Sequence, residues 1–433
     1  MKKDWIQYFP YPQPRSQQIE AIDAVLDAWR SGKKFAIIEA GTGVGKSAIG
    51  LTVARYIHNN ELPVDGYEAG AHFLTTQKIL QEQYVKDFGS AGMLSIKSST
   101  NYQCGYYKNN TCAESLRALA NADKGSSFWN SCSFNCNYKR SKRNYLSAKL
   151  GVTNFPYFLA ETSYSGKIVP RQLLVIDECH NAESQLSKFI EVSVTDRFIK
   201  QFLKLDTPLV KTQKQAYDWI KDVYVPKLRS SVKHFKAMLS KYTGLQDKLK
   251  EFTTTAKRFD WVFNDAPAFD RKSRCLEFKP IDVSPYSHDM LFKHGKFNLL
   301  MSATVIDVDN LCQLLGISKA AIEYIQIPSP FPTDNRPILQ VSVGKMSAGE
   351  IDKTLPKLAE AVQYILDKHP NEKGIIHSHT FKISKYLKKN IKSRRLLTHT
   401  SENRERVLQK HMNSPQPTVL ISPSMTEGID LKS

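Results

Sequence analysis

Residues 35–47, near the start of the chain, have the types and spacing of a phosphate-binding loop. An apolar run at residues 35–38 predicts a buried strand, and residues 48–56 predict a helix. The glycines between them permit a tight turn whose N–H groups face a phosphate, while lysine reaches the β/γ oxygens and serine suits Mg²⁺. A chance glycine-rich loop is the alternative, but the flanking strand and helix favour binding of a nucleoside triphosphate such as ATP. The predicted contacts are Ala40, Gly41, Thr42, Gly43, Val44, Gly45, Lys46 and Ser47.

A second reactive group is the acidic pair Asp177 and Glu178, which follows an apolar run at residues 173–176. At the tip of a strand, Asp177 can hold Mg²⁺ through water, and Glu178 can orient and deprotonate an attacking water. The adjacent His180 can couple the γ-phosphate to other motifs, or it can simply cap the next helix at the surface. A chance Asp–Glu pair is the alternative, yet its position after a phosphate-binding loop favours catalysis. We predict a catalytic group of Lys46, Asp177, Glu178 and His180.

Four of the seven cysteines lie close together with the spacing C-x7-C-x19-C-x3-C. In a cytosolic protein such clustering favours metal binding over disulfides. The C-x2-C knuckles of zinc ribbons are absent, and separated turns suit an iron–sulphur cubane, although spacing alone leaves zinc open. Aromatic and basic residues around the cysteines either bind single-stranded nucleic acid or pack a small core. The candidate metal ligands are Cys104, Cys112, Cys132 and Cys136.

The composition describes a globular protein with an excess of positive charge. The chain has 433 residues, a net charge of +19 and 41% hydrophobic residues. This charge favours a nucleic-acid partner over a metabolic role, and a merely basic surface is the alternative. No apolar run approaches the ~20 residues of a membrane helix, and no signal peptide is evident, so we expect a cytoplasmic protein, or a nuclear one in a eukaryote.

Alternating strand and helix patterns predict two α/β regions joined by a proline-rich linker at residues 328–336. In the first region, further strands are expected at residues 71–75 and 297–301. In the second, strands are expected at 338–343, 374–377 and 419–421, with helices at 354–368 and 381–391. Residues 100–149 lack long periodic segments, and residues 186–280 are basic with a helical pattern.

These motifs together resemble the superfamily 2 iron–sulphur DNA helicases typified by DinG and XPD. The likeness extends beyond the phosphate-binding loop. Residues 177–180, the acid box, have the sequence DECH where the family has DEAH. Residues 99–104 are similar to the segment before the first cluster cysteine, and residues 153–159 to the strand end before the acid box. Residues 329–332 with Arg336 match the inter-domain segment, and residues 374–378 match the first strand of the second motor domain.

The resemblance also implies roles for individual residues. Arg15 and Gln18 are similar to the adenine-reading element, and residues 424–430 are similar to the E-G-x-D motif of the second motor domain. The S-A-T motif, which couples hydrolysis to movement in the family, is matched by Ser302, Ala303 and Thr304. Further nucleotide contacts are implied at Glu427, Gly428 and Asp430.

The implied architecture is two RecA-like parallel-sheet motor domains, the first carrying an iron–sulphur insertion and a helical Arch-like insertion. The expected boundaries are 1–100, 150–186 and 286–333 for the first motor domain, 101–149 for the cluster domain, 187–285 for the Arch-like domain and 334–433 for the second motor domain. The implied activity is ATP-dependent, 5′-to-3′ DNA unwinding. The cofactors are Mg²⁺, held by Ser47 and Asp177, and a [4Fe–4S] cluster. The implied partners are single-stranded DNA, junctions with duplex, and single-strand-binding, replication or repair proteins.

Two features depart from the family pattern. The cysteine spacing is particular to this chain, and the chain reaches Ser433 before any Q-x-x-G-R-x-x-R motif, whose arginines act on the γ-phosphate. Such arginines contribute about 10³–10⁵ in rate in related systems. We therefore expect a fragment of a longer protein, because the second sheet would also lack strands. A second chain that completes the site, or a form that binds ATP and hydrolyses it poorly, is the alternative. A nucleic-acid-stimulated ATPase that remodels nucleoprotein without unwinding, or a non-catalytic ATP-binding module, is the alternative function.

Overall fold

The computed structural model describes residues 3–119, 122–232, 261–267, 274–329, 331–335, 337–400 and 402–423. The chain divides into two compact units, Met1–Pro330 and Phe331–Ser433. Strands are numbered along the described chain: β1 Phe35–Ala40, β2 Glu68–Thr75, β3 Met93–Ser95, β4 Leu150–Asn154, β5 Arg171–Asp177, β6 Val192–Thr195, β7 Trp261–Pro267, β8 Arg274–Pro280, β9 Gly295–Ser302, β10 Ile322–Ile327, β11 Gly374–His377, β12 Leu396–Thr398 and β13 Val419–Ser422.

The α-helices of the described residues are numbered in the same way. They are α1 Ser16–Arg30, α2 Lys46–Asn60, α3 Lys78–Phe88, α4 Cys112–Leu119, α5 Ser127–Phe134, α6 Asn137–Ser147, α7 Phe155–Ala160, α8 Ala182–Ile190, α9 Asp196–Phe198, α10 Gln213–Trp219, α11 Val225–Val232, α12 Ser284–Met290, α13 Val308–Leu314, α14 Ile351–Lys368, α15 Phe381–Asn390 and α16 Arg404–Asn413. No described helix is both long enough and apolar enough to cross a membrane.

The first unit is built on a seven-stranded sheet with the order β10-β1-β9-β5-β2-β4-β3. All of its pairings are parallel, which confirms the predicted α/β class and the four strands expected in this unit. Ile38 and Asp177 both pair with Met301, so β1, β9 and β5 end at the same edge. Parallel sheets bind ligands at this carboxyl edge, where the phosphate-binding loop, the acid box and the S-A-T segment follow neighbouring strands.

Helices cover both faces of this sheet, and its strands are therefore almost continuously apolar. Ile37 and Ile176 pack into one apolar cluster together with residues of α7 and α8. Ile38 and Val175, one residue along each strand, pack into the other cluster with residues of α1 and α2. Successive side chains point to opposite faces of a strand, so the two clusters lie on the two sides of the sheet.

The helical prediction for residues 186–280 is wrong in part. The described residues of this segment include helices α8 to α11 and also a three-stranded antiparallel sheet with the order β6-β8-β7. Leu276 and Phe278 alternate with more exposed residues on β8 and are fully buried. The many lysines in this segment obscured the alternation of buried and exposed residues that is typical of a strand. Residues 233–260 and 268–273 lie outside the described part of the chain.

The second unit contains a three-stranded parallel sheet with the order β11-β13-β12. The expected helices and the strands at 374–377 and 419–421 are confirmed. The strand predicted at residues 338–343 is wrong, because this segment forms no strand and leaves Ile338 95% and Leu339 85% exposed. β-branched residues favour a strand only where a neighbouring strand supplies backbone partners, and no described strand pairs with this segment.

Candidate functional site

The phosphate-binding loop connects the end of β1 to the first residue of α2. Gly43 and Gly45 adopt φ angles of 83° and 88°, in the left-handed region that a side chain would strain. Lys46 opens the helix, and its Nζ donates a hydrogen bond to the carbonyl oxygen of Ala40 at 3.0 Å. The loop therefore presents a helix N-terminus and an ammonium group together, the combination that binds a phosphate chain.

The two residues expected to read adenine contact the backbone of the same loop. Gln18 Nε2 donates to the carbonyl of Val44 at 2.9 Å, and Arg15 Nη1 donates to the carbonyl of Gly43 at 2.6 Å. Gln18 Oε1 also accepts from the backbone nitrogen of Arg15 at 2.9 Å, which fixes the start of α1. The structure thus brings Arg15 and Gln18 to the loop, while their contact with adenine stays a prediction.

Asp177 ends β5 and is 6% exposed. Burial raises the pKa of this carboxyl, against the lowering effects of the Lys46 charge and of hydrogen bonds to it. Its Oδ1 accepts from the backbone nitrogen of Glu178 at 3.1 Å, and its Oδ2 accepts from the hydroxyl of Tyr84 at 3.1 Å. The Asp177 carboxylate and the Ser47 hydroxyl are oxygen donors of the kind that Mg²⁺ prefers when it binds together with a nucleotide.

Glu178 has a φ of 52°, the left-handed conformation that is uncommon for a residue with a side chain. Such backbone strain is concentrated at functional sites, where the surrounding structure imposes it. Glu178 Oε2 lies 3.5 Å from His180 Nδ1, and the same nitrogen lies 2.8 Å from the hydroxyl of Ser302. The acid box and the S-A-T segment are therefore joined by a direct hydrogen bond.

The S-A-T segment is folded back on itself at the end of β9. The Ser302 hydroxyl donates to the carbonyl of Thr304 at 2.9 Å and accepts from the Thr304 backbone nitrogen at 3.2 Å. Ser302 is fully buried, whereas His180 is exposed, so the contact between them lies at the boundary between the interior and the solvent. This geometry provides a physical link between the acid box and the loop after β9.

The comparisons with known proteins agree with this arrangement. Residues 11–208 match the family model described as the type III restriction enzyme res subunit. No curated protein has a significant sequence match. Among solved structures, an XPD helicase is similar with a TM-score of 0.56 and 15% identity, over 95% of this chain and 80% of that chain. Xpd4 of S. tokodaii is similar with a TM-score of 0.52 and 12% identity, over 94% of this chain and 80% of that chain.

The chain shares its fold with these XPD helicase structures. This result confirms the predicted likeness at the level of fold, including the large parallel sheet. Some residues that the likeness singles out lie outside the described part of the chain, so their positions stay predictions. They are Arg336, Glu427, Gly428 and Asp430.

In this helicase fold, the four clustered cysteines lie between β3 and β4. All four line one small cavity that opens to solvent. The sulphurs of Cys112 and Cys136 are 3.5 Å apart, much farther than the ~2.05 Å of a disulfide, and all four thiols are free. Within the described residues, no group of three or more His, Cys, Asp or Glu side chains has the geometry of a metal site. The number and type of donors nevertheless fit a four-thiolate centre.

The surroundings of this cavity combine packing with exposed groups. Burial raises the pKa of Cys112 to about 12, and the neighbouring thiols add to the effect. Phe128 and Tyr145 are buried, so packing explains these two aromatics. Phe134 is 68% exposed and is available to a partner. The two interpretations of the aromatic residues therefore apply to different members of the set.

Sequence reasoning missed two residues that contact the site. Tyr84 lies on α3, and its hydroxyl donates a hydrogen bond to Asp177 Oδ2 at 3.1 Å. Glu39, the residue before Ala40, accepts a hydrogen bond from the backbone nitrogen of Val305 at 2.9 Å, directly after the S-A-T segment. A polar residue inside the apolar run of β1 was the available signal for Glu39. No comparable local signal marks Tyr84, because its partner is distant in sequence.

Proposed function

We propose that the protein is an ATP-dependent DNA helicase that couples nucleotide hydrolysis to movement along a single strand. The observation that carries this proposal is the 2.8 Å contact between His180 and Ser302, which joins the acid box to the S-A-T segment beside the phosphate-binding loop. A hydrolytic site that is linked to a neighbouring loop can transmit the state of the γ-phosphate. The fold shared with XPD helicases supports the same function.

In the proposed reaction, the N-terminus of α2 and Lys46 bind the triphosphate. Ser47 and Asp177 would hold Mg²⁺, which would supply positive charge to neutralise the negative charge that develops on the phosphate oxygens. Glu178 orients the attacking water and accepts its proton, a role suited to a carboxylate fixed at a strand end. Loss of the γ-phosphate would then alter the hydrogen bond between His180 and Ser302.

The cysteine cavity is proposed to hold a [4Fe–4S] cluster through Cys104, Cys112, Cys132 and Cys136. The support is that all four thiols line one cavity although they are separated in sequence. The cluster would act as a cross-link for a region whose helices α4, α5 and α6 have few buried residues of their own. A small domain without a large core commonly depends on such a centre.

The proposed nucleic-acid partner is single-stranded DNA at a junction with duplex, with movement in the 5′-to-3′ direction. The net charge of +19 supports a polyanionic partner, although charge alone does not distinguish DNA from RNA. The exposed ring of Phe134, close to the basic helix α6, is a candidate stacking surface for an unpaired base.

Hydrolysis is tested with two variants and a matched control. Lys46→Ala is expected to lose nucleotide binding, while Glu178→Gln is expected to bind ATP and to hydrolyse it about 10²–10⁴ times more slowly. Lys34→Ala, which removes an exposed lysine ahead of the same strand, serves as the control and is expected to match the wild type. Hydrolysis by Lys46→Ala at the wild-type rate would refute the proposed site.

Unwinding is tested with duplexes that carry either a 5′ or a 3′ single-stranded tail. The proposal predicts ATP-dependent strand separation of the 5′-tailed substrate alone, and Glu178→Gln is expected to abolish it. DNA-stimulated hydrolysis without separation of either duplex would favour a translocase that remodels nucleoprotein. Nucleotide binding without hydrolysis would favour an ATP-binding module.

A further inference from the structure

The hydroxyl of Tyr84 contacts a residue that is proposed to hold Mg²⁺. It donates a hydrogen bond to Asp177 Oδ2 at 3.1 Å. Tyr84 belongs to α3, an element that carries neither the phosphate-binding loop nor the acid box, and it is 3% exposed. The side chain thus connects a third element to the carboxylate of the proposed magnesium site.

The position of this hydroxyl is fixed by packing. The Tyr84 ring contacts the rings of Phe73 and Phe88, with centroid separations of 5.6 Å and 5.9 Å. The helix itself is attached to the sheet by Gln81, whose Nε2 donates to the carbonyl of Ile96 at 2.7 Å and to that of Val152 at 3.3 Å. A buried aromatic ring on an anchored helix has little freedom, so its hydroxyl is a preorganised hydrogen-bonding group.

The chemistry of the two side chains defines the direction of their hydrogen bond. An ionised Asp177 can only accept, so the Tyr84 hydroxyl donates its proton to Oδ2. The other oxygen, Oδ1, accepts from the backbone nitrogen of Glu178 at 3.1 Å. These two hydrogen bonds hold the Asp177 carboxylate in one orientation.

We propose that Tyr84 is a positioning residue for the magnesium that binds with the nucleotide, acting through Asp177. This inference rests on the proposed nucleotide site and adds a residue to it. Residues that orient metal ligands from behind contribute about 10- to 100-fold to metal affinity or activity. The absence of the Tyr84 hydroxyl is therefore expected to raise the Mg²⁺ requirement while leaving the phosphate-binding loop intact.

The location of Tyr84 also connects the metal site to the far end of α3. This helix starts at Lys78, whose Nζ donates to Asn101 Oδ1 at 2.7 Å, in the segment that precedes Cys104. A displacement of α3 would move the Tyr84 hydroxyl relative to Asp177. The segment that precedes Cys104 and the proposed magnesium site therefore both contact α3.

The test is an equilibrium measurement that does not depend on turnover. Binding of a fluorescent, non-hydrolysable ATP analogue is titrated with MgCl₂ in the wild type, in Tyr84→Phe and in Tyr56→Phe, and Mn²⁺ binding is followed by electron paramagnetic resonance. Tyr56→Phe is the matched control, because its hydroxyl also donates to a carboxylate, Asp4 Oδ2 at 2.7 Å, but away from the site. Thermal unfolding of each variant verifies that it is folded.

The half-saturating Mg²⁺ concentration is expected to rise about 10- to 100-fold in Tyr84→Phe and to stay unchanged in Tyr56→Phe. In an Asp177→Asn background, adding Tyr84→Phe is expected to change it less than twofold, because the residue through which Tyr84 acts is already altered. Equal Mg²⁺ dependence of Tyr84→Phe and wild type would overturn the role of Tyr84 alone. If the affinity of the wild-type protein for the nucleotide analogue does not depend on the Mg²⁺ concentration, the proposed nucleotide site itself is overturned.

Discussion

Glu39 offers a test of how the phosphate-binding strand holds the S-A-T loop. Its Oε1 accepts from the backbone nitrogen of Val305 at 2.9 Å, and its Oε2 accepts from the hydroxyl of Tyr324. The next residue, Ile306, has a φ of 65° and is 91% exposed, so the loop adopts a strained backbone immediately beyond the contact. We expect Glu39→Ala to release this loop.

The magnitude follows from the donors that the substitution leaves without an acceptor. Partly buried Val305 N–H would lose its partner, at a cost of about 1–3 kcal/mol, while the Tyr324 hydroxyl can turn towards water. Glu39→Gln retains an oxygen for Val305 and is expected to cost under about 1 kcal/mol. Release of the loop is also expected to displace Ser302 from His180. A misplacement of about 1 Å can slow a reaction by about 10²-fold.

Charge gives this prediction a dependence on pH. Burial raises the pKa of Glu39, but hydrogen bonds from Tyr324 and from the backbone of Val305 outweigh it, so the pKa is lowered overall. A carboxyl with a lowered folded-state pKa stabilises the protein above its unfolded pKa of about 4.3 and loses this contribution in acid. The difference between wild type and Glu39→Gln is therefore expected to shrink as the pH falls below this value.

The assays are urea unfolding and DNA-stimulated ATP hydrolysis. Glu323→Ala is the matched control, since this glutamate lies on the neighbouring strand β10 and pairs with Lys33 at a solvent-accessible position. A surface pair of this kind contributes about 0–1 kcal/mol. If Glu39→Ala unfolds and hydrolyses ATP like this control, or if Glu39→Gln loses as much hydrolysis as Glu39→Ala, the argued role of the carboxylate oxygen is refuted.

Two further predictions concern the cysteines and a buried histidine. Protein purified without oxygen is expected to be brown and to contain about four iron atoms per chain. The Cys132→Ser variant is expected to lose this iron. Stoichiometric zinc without iron would contradict the proposed cluster. Burial and Lys293 lower the pKa of His294 to about 4. Because this value lies below the unfolded-state pKa of about 6.5, folding disfavours protonation of His294. The free energy of unfolding is therefore expected to fall by about 2 kcal/mol between pH 7 and pH 5. His294→Leu is expected to flatten this loss in urea unfolding; an unchanged slope would contradict it.

Much of the first sheet could be predicted because its strands carry strong local signals. The runs that became β1, β5 and β9 are apolar on both faces and end in glycine or polar residues, so both type and end are legible in the sequence. The edge strand β10 was missed. Its residues are only half-buried, and its place beside β1 depends on pairing across nearly 290 positions, which local patterns do not encode.

The residues of the candidate site also differ in whether local sequence signals predict them. Lys46, Asp177 and Glu178 were predicted because chemistry at a strand end requires particular residue types in a particular order. Tyr84 was not, since a tyrosine at a helical spacing of four from Leu80 is indistinguishable from a core residue. Only the folded structure reveals that its ring packs in the core while its hydroxyl meets Asp177.

The two residues missed from sequence stabilise the nucleotide site from different directions. Glu39 acts on the loop after β9, on the side where His180 contacts Ser302, whereas Tyr84 acts on Asp177 from α3. They share no hydrogen-bonding partner. Loss of Glu39 therefore weakens the transmission of hydrolysis to the S-A-T loop, while loss of the Tyr84 hydroxyl weakens the holding of the metal. Because only the second effect appears in Mg²⁺-dependent nucleotide binding, that measurement separates the two ways in which this fold supports its reactive carboxylates.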